Sequence, residues 1–224
     1  MNELLIKEIT EKNEVIAEYK AKAILKDIIP VTEEHLCATY DDVLMKAQTM
    51  GYPLVLKGYS EEMTHKTEHD IIHLNISNET DLKKAYNEIE KANLKLTGIL
   101  VQKMIKGSFE LVMGLVRDPN FGPAVMIGLG GVYTELFKDV SFRIAPLTIE
   151  DALEMMDELA ISPVFDNYRK MDGINKNHLG ESIVKLGNLA LEHPEIQEID
   201  INPLIISDGN AIAVDALIIL KHQN

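Results

Sequence analysis

The sequence predicts an α+β fold built from two lobes, and three observations carry that expectation. Strand and helix patterns alternate over roughly the first 96 residues, whereas from Gly98 onward short apolar runs separated by turns read as mostly antiparallel sheet. The chain has 224 residues, 46% of them apolar and 26% charged, which suits an ordinary globular protein with one large core or two smaller ones. The division expected is a small first lobe over residues 22–96 and a larger sheet lobe over 97–224, with residues 1–21 as an N-terminal helix packing on the larger lobe.

The elements follow in order. An opening helix mixes acidic and basic residues. Thr39-Tyr-Asp-Asp42 reads as an N-cap with an acidic residue three positions on, followed by Val43, Leu44 and Ala47 on one face and by Gly51 as the stop. Leu54-Val-Leu56 then reads as a short buried strand, with Lys57 at its end. Asn78 to Ala92 forms a second capped helix, its Leu82, Ala85, Ile89 and Ala92 three or four apart. Residues 99–105, 109–116 and 124–127 read as strands, the last two joined by a turn containing Pro119 and Gly122. The segment from Val132 to Pro146 has no clear period and is expected to be loop. Thr148-Ile-Glu-Asp151 caps a helix carrying Leu153, Met156 and Leu159, and another helix runs from about Leu179 to Glu192 before Pro194.

A final hairpin closes the chain, because Asp208-Gly209 is a strong two-residue turn signal between apolar segments. If residue 207 faces 210, opposed residues sum to 417, and Asn202 lies directly across from Asp215. Asp200 shares their face by the two-residue period of a strand, with Ile199, Ile201, Ile205, Val214 and Ile218 on the other.

Composition excludes several function classes. A formal net charge of −14 opposes non-specific attraction to a phosphate backbone or an anionic membrane. The single cysteine, Cys37, cannot form an intrachain disulfide, which suits a reducing, cytoplasmic setting. The first 20 residues are charged throughout and carry no signal-peptide or membrane-span pattern.

Three clusters point to phosphate chemistry. Asp200, Asn202 and Asp215 form either a solvated sheet face or an oxygen donor set for a hard cation that also binds substrate phosphates. Lys57 is either a snorkelling lysine or a phosphate contact. Thr64-His-Lys-Thr-Glu68 is either a surface loop or a place where an imidazole, an ammonium and a carboxylate meet. A neutral imidazole can accept a phosphoryl group on one nitrogen while a carboxylate orients the other. The Gly128-Leu-Gly-Gly131 run would let backbone amides approach phosphate, or serve a turn that needs positive φ. Glu135 and Arg143 divide between phosphate or metal chemistry and a surface salt bridge. Neither the GxGxxG nor the GxxxxGK[ST] fingerprint is present.

Taken in series, Gly51-Tyr-Pro-Leu-Val-Leu-Lys57, Thr64-His-Lys-Thr-Glu68, Val101-Gln-Lys-Met104, Arg117-Asp-Pro-Asn-Phe-Gly-Pro123, Gly128-Leu-Gly-Gly131, Lys138-Asp-Val-Ser-Phe-Arg-Ile-Ala-Pro146, Glu198-Ile-Asp-Ile-Asn-Pro-Leu204 and Val214-Asp-Ala216 resemble the ATP-grasp beta chain of ADP-forming acetate-CoA ligase and related acyl-CoA synthetases. The resemblance spans nearly the whole chain. It implies a two-lobed ATP-grasp fold with a nucleotide cleft between the lobes, and the reaction acyl-CoA + ADP + phosphate ⇌ acid + CoA + ATP. It further implies that Lys57 contacts nucleotide phosphates, that Gln102, Lys103, Met104 and Ile105 cradle adenine, and that Glu110 contributes to nucleotide binding. Asn202 and Asp215 would hold magnesium, and His65 would be the phosphohistidine, with Asp200 as its catalytic companion. ATP or ADP and Mg2+ are the implied cofactors. The implied partner is an alpha-type CoA-binding and ligase subunit in an α2β2 assembly. Relatives carry a glycine pair where this chain has Asp70 and Ile71, glutamate where it has Lys103, and glycine where it has Lys170. The alternative is a non-catalytic nucleotide-binding regulatory subunit of the same fold.

Overall fold

A computed structural model describes residues 3–11, 13–60, 71–92, 94–107, 109–131, 139–166 and 173–221. The chain divides into two compact units, one comprising Met1–Val31 with Lys106–Asn224 and the other Thr32–Ile105. Both boundaries expected from the sequence shift: the smaller unit begins at 32 rather than 22 and ends at 105 rather than 96.

The smaller unit is a four-stranded antiparallel sheet covered on one face by two helices. Its strands are β2 (Glu34–Cys37), β3 (Leu54–Tyr59), β4 (Ile72–Ile76) and β5 (Gly98–Lys103), in the order β2-β5-β3-β4. The late boundary follows from β5, which lies between β2 and β3 and cannot belong to a later lobe. The helices are α3 (Tyr40–Met50) and α4 (Glu79–Lys91). α3 starts where the Thr39 hydroxyl accepts the Asp42 N–H at 3.2 Å and ends at Gly51, whose φ of 71° suits a residue without Cβ. α4 starts at Asn78, whose side-chain oxygen accepts the Asp81 N–H at 3.0 Å. Val43 and Ala47 from α3 and Leu82, Ala85 and Ile89 from α4 pack on Leu54, Leu56, Ile99 and Val101 of the sheet.

The larger unit is a seven-stranded antiparallel sheet. Its strands are β1 (Val15–Ile16), β6 (Glu110–Asp118), β7 (Gly122–Leu129), β8 (Val140–Ile144), β9 (Ile196–Ser207), β10 (Asn210–Ala213) and β11 (Leu217–Leu220). The order is β1-β11-β9-β6-β7-β8, with β10 also paired to β9. β8 corrects the expectation of loop between 132 and 146. Its alternation places Ser141 and Arg143 toward the core side and Phe142 and Ile144 on the other face, so no long apolar run marks it.

Among the described residues, the helices α1 (Glu3–Thr10), α2 (Glu18–Leu25), α5 (Ile149–Asp157) and α6 (Lys176–Glu192) line one face of this sheet, with a 3-10 turn at Ser162–Asp166. Leu5, Ile24, Met155, Ile183 and Leu186 from these helices share one core with Leu111, Met113, Val125, Ile199 and Ile201. The segment expected as one N-terminal helix is thus two helices separated by a strand that pairs with β11. α5 opens on the expected capping box, in which Thr148 accepts the Asp151 N–H at 3.1 Å and Asp151 accepts the Thr148 N–H at 2.8 Å.

Candidate functional site

In the larger unit the predicted residues meet on the closing hairpin. Asp208 and Gly209 have φ values of 48° and 75°, which makes their turn the left-handed two-residue type that matches strand twist. Asn210 pairs with Ser207 and Ala213 with Leu204, while beyond the break Leu217 pairs with Asp200 and Ile219 with Glu198. The 417 register therefore holds on both sides of Val214–Ala216. The Val214 N–H also donates to the Pro203 carbonyl at 3.2 Å, so Asn202 and Asp215 stand next in line across from each other.

Pro203 explains why this point is special. A proline inside a central strand removes a ladder donor and is accommodated at bulges. On the β6 side Leu111 pairs with Leu204 and Met113 with Ile201, which leaves Asn202 and Pro203 opposite Val112 alone. On the other side, residues 214–216 leave the ladder between β10 and β11. Both neighbours of β9 are thus interrupted at the same level, beside the two oxygen-bearing side chains. The bulge also shifts the face alternation. Ile199 and Ile201 are core, but after it the core residues are Leu204 and Ile206, so Ile205 and Val214 do not join the apolar face expected of them.

Asp200 lies between Gly114 of β6 and Leu217 of β11, away from the core. Burial, then the Glu198 carboxylate, then the Asp215 carboxylate push its carboxyl up to about 6. Glu198 is a member of the face that the motif contained without being singled out; its two-residue spacing from Asp200 is the signal that places it there. Among the described residues no three His, Cys, Asp or Glu side chains gather closely enough to hold a metal by themselves. An amide and a carboxylate on a face already crowded with negative charge nevertheless fit Mg2+, which takes one or two protein oxygens and completes its shell with phosphate and water. A divalent cation there would relieve the repulsion from Glu198 and Asp215 that adds to burial in raising Asp200.

Glu110 opens β6 and is exposed. Its carbonyl accepts the Gly130 N–H at 2.9 Å, and a Cβ on Gly131 would come within 3.0 Å of its carboxylate. The glycine run serves close backbone packing: a Cβ on Gly128 would lie 2.6 Å from the Asp139 carbonyl, and one on Gly130 2.7 Å from that of Leu111. Arg143 is taken by a salt bridge, its guanidinium donating to both carboxylate oxygens of Glu158 at the end of α5. Glu135 lies outside the described residues.

In the smaller unit, Lys57 is in the middle of β3 rather than at its end, because the strand continues to Tyr59. It stands between Ile72 and Leu100, on the face opposite the helices, and is 5% exposed, unlike a lysine whose head reaches solvent. Gln102 is on the same face, opposite Val55, and its amide donates to Glu34 at 3.1 Å. Lys103 is committed elsewhere: its ammonium donates to the Met50 and Gly51 carbonyls at 3.1 and 2.9 Å, which caps the C-terminus of α3. Its N–H donates to Glu33, and its carbonyl accepts the Thr32 hydroxyl. The Met104 N–H donates to the Pro53 carbonyl at 3.3 Å, and Ile105 ends the unit. Ile71, where the family resemblance implies glycine, is fully buried, and its carbonyl accepts the Gly58 N–H at 2.8 Å. His65, with the whole Thr64–Glu68 motif, and Asp70 and Lys170 lie outside the described residues.

Comparison with known proteins agrees over nearly the whole chain. A family model described as an ATP-grasp domain matches residues 7–220. The beta subunit of acetate–CoA ligase [ADP-forming] I from Pyrococcus furiosus is 40% identical over 223 residues, which cover 96% of each chain. The structure of dinucleotide-forming acetyl-coenzyme A synthetase 1 from Ca. Korarchaeum cryptofilum, in complex with coenzyme A and Ca-AMPCP, matches with a TM-score of 0.92 at 36% identity, covering 98% of this chain and 99% of that one. A second structure of that protein, with coenzyme A and Mg-AMPPCP and its phosphohistidine segment pointing towards the nucleotide binding site, matches with a TM-score of 0.86 at 36% identity over the same shares of the two chains. The chain therefore belongs to the ATP-grasp family, in the branch formed by the beta subunits of ADP-forming acyl-CoA ligases.

Proposed function

We propose that this chain is the nucleotide-binding beta subunit of an ADP-forming acyl-CoA synthetase and performs the phosphoryl-transfer half of acyl-CoA + ADP + phosphate ⇌ acid + CoA + ATP. The observation that carries the reading is the register that sets Asn202 opposite Asp215, at the level where β9 is interrupted on both sides. In this reading those two side chains hold Mg2+. When bound, the ion would neutralise negative charge on the phosphates during transfer.

The step itself is a displacement at phosphorus. The bond between phosphorus and the imidazole nitrogen of phosphorylated His65 breaks, a terminal oxygen of ADP bonds to phosphorus, and the electron pair returns to the ring. Lys57 supplies a fixed positive charge for the phosphates, Gln102, Met104 and Ile105 meet the adenine, and Glu110 lines the nucleotide site. Lys103 supports that segment by tying it to the end of α3. Asp200 provides the carboxylate that orients an imidazole brought to its face.

An alpha-type chain carrying CoA-binding and ligase modules supplies the thioester chemistry. Two copies of each chain, in a reducing cytoplasm, complete the picture. Labelling tests the assignment: with Mg2+ and γ-labelled ATP, the complex should acquire acid-labile label at His65. His65→Asn should lose the label and ATP synthesis while keeping nucleotide binding. Turnover like wild type in that variant would refute the phosphohistidine role.

A further inference from the structure

We infer that Lys22, paired with Glu18 in the interior of the larger unit, is a positioning residue for Asp215. The inference rests on reading Asp215 as a metal ligand. Both α2 residues are 1% exposed. They are one helical turn apart, and the Lys22 ammonium lies 2.8 Å from the Glu18 carboxylate. The same ammonium donates to the Val214 carbonyl at 3.1 Å, and Val214 is the residue before Asp215.

The place this bond reaches gives it its meaning. Residues 214–216 run outside the ladder, so the strand pairing that fixes the rest of the hairpin does not fix them. Val214 is held instead by its N–H to the Pro203 carbonyl and by its carbonyl to Lys22. One residue earlier, the Ala213 N–H donates to the Pro30 carbonyl at 2.9 Å, and Val31 bridges Ala213 in parallel. On the far side, the Ala216 N–H donates to the Asp215 carboxylate at 2.8 Å, which fixes the rotamer relative to the chain. The segment bearing Asp215 is thus tied to the Asn202–Pro203 bulge by one peptide group and to α2 by the next.

Energetics favour a positional role over a purely stabilising one. Removing two charges from water offsets most of what a buried ion pair gains, and apolar residues of similar volume commonly replace such a pair at no cost. What they cannot supply is a charged donor aimed at a carbonyl. Groups that orient a metal ligand typically change metal affinity by about 10–100-fold when removed.

The test uses the full chain with the double substitution Glu18→Leu/Lys22→Met, which leaves no unpaired charge behind, beside Asp215→Ala. Mn2+ binding in the presence of ADP is read by electron paramagnetic resonance, and metal-free ADP binding and thermal melting are measured in parallel. The double variant should melt cooperatively, bind ADP without metal as wild type does, and hold Mn2+ with ADP about 10-fold more weakly or worse. Wild-type Mn2+ affinity in the folded double variant, with Asp215→Ala impaired, overturns the positioning role and leaves the metal site standing. Wild-type affinity in Asp215→Ala overturns the metal site and this inference with it. Should the double variant not melt cooperatively, the wild-type 15Nζ resonance of Lys22, assigned with Lys22→Arg, decides. A shift on saturation with Mg2+ and ADP supports the coupling, and an unchanged resonance overturns it.

Discussion

Asp215 and Arg143 show how two charged residues close to a strand break and on a strand come to opposite uses. Asp215 shares a face with Glu198 and Asp200, and burial first, then the Glu198 and Asp215 carboxylates, raise the Asp200 carboxyl there. Asp215→Ala should therefore weaken Mg2+-dependent ADP binding by roughly 10-fold or more while sparing metal-free binding, as titration calorimetry with and without chelator would show. Arg143, by contrast, spends its guanidinium on Glu158. The hydrogen bonds from Arg143 and then from Ser141 lower the Glu158 carboxyl from its ordinary 4.5 to about 2. A depressed carboxyl stabilises the fold at pH values above its unfolded pKa, and that contribution disappears as pH falls from 4.5 toward 2. Glu158→Gln should flatten the acid limb of a denaturation profile in that window and leave nucleotide affinity unchanged; an unaltered limb would count against the pairing.

At the scale of elements, caps and the hairpin were legible because their signals are local. Thr39, Asn78 and Thr148 each accept the N–H three residues on, and the Asp208-Gly209 turn sets a register that counting alone recovers. What sequence pattern missed has physical causes. β8 alternates polar Ser141 and Arg143 toward the core with exposed Phe142 and Ile144, so it shows no apolar run. β5 reads as strand, but nothing local says that it lies between β2 and β3. The bulge at Asn202–Pro203 reverses which of the following isoleucines are core, an effect of pairing with β6 that β9 alone does not reveal. Nothing local shows that the Lys103 ammonium, in a motif that implies a nucleotide contact, also donates to the carbonyls of Met50 and Gly51 at the end of α3. Lys103→Met should cost about 1 kcal/mol of stability through that lost cap, measured by urea denaturation, and change ADP affinity little. A loss of affinity without a loss of stability would return the residue to the nucleotide site.

For the whole molecule, the family model over residues 7–220 and the 40% identical beta subunit place the chain among the nucleotide-handling subunits of ADP-forming ligases. No described helix is long and apolar enough to cross a membrane. The residue types of the candidate site were readable: Lys57 and Asp200 stand on sheet faces directed away from the helix-packed cores, with Asn202 at the β9 bulge and Asp215 in the break after β10. The support behind them was not, since the bonds from Lys22 to Val214 and from Gln102 to Glu34 join residues distant in sequence. Reconstitution separates the two readings of the chain: purified chain is assayed for ATP formation from acetyl-CoA, ADP, phosphate and Mg2+, first alone and then with an alpha-type CoA-binding chain added. ATP should form only when both chains are present, and not when His65→Asn replaces the wild-type subunit. Sustained ATP and acid formation by the isolated chain, or full activity of the His65→Asn complex, would contradict that expectation.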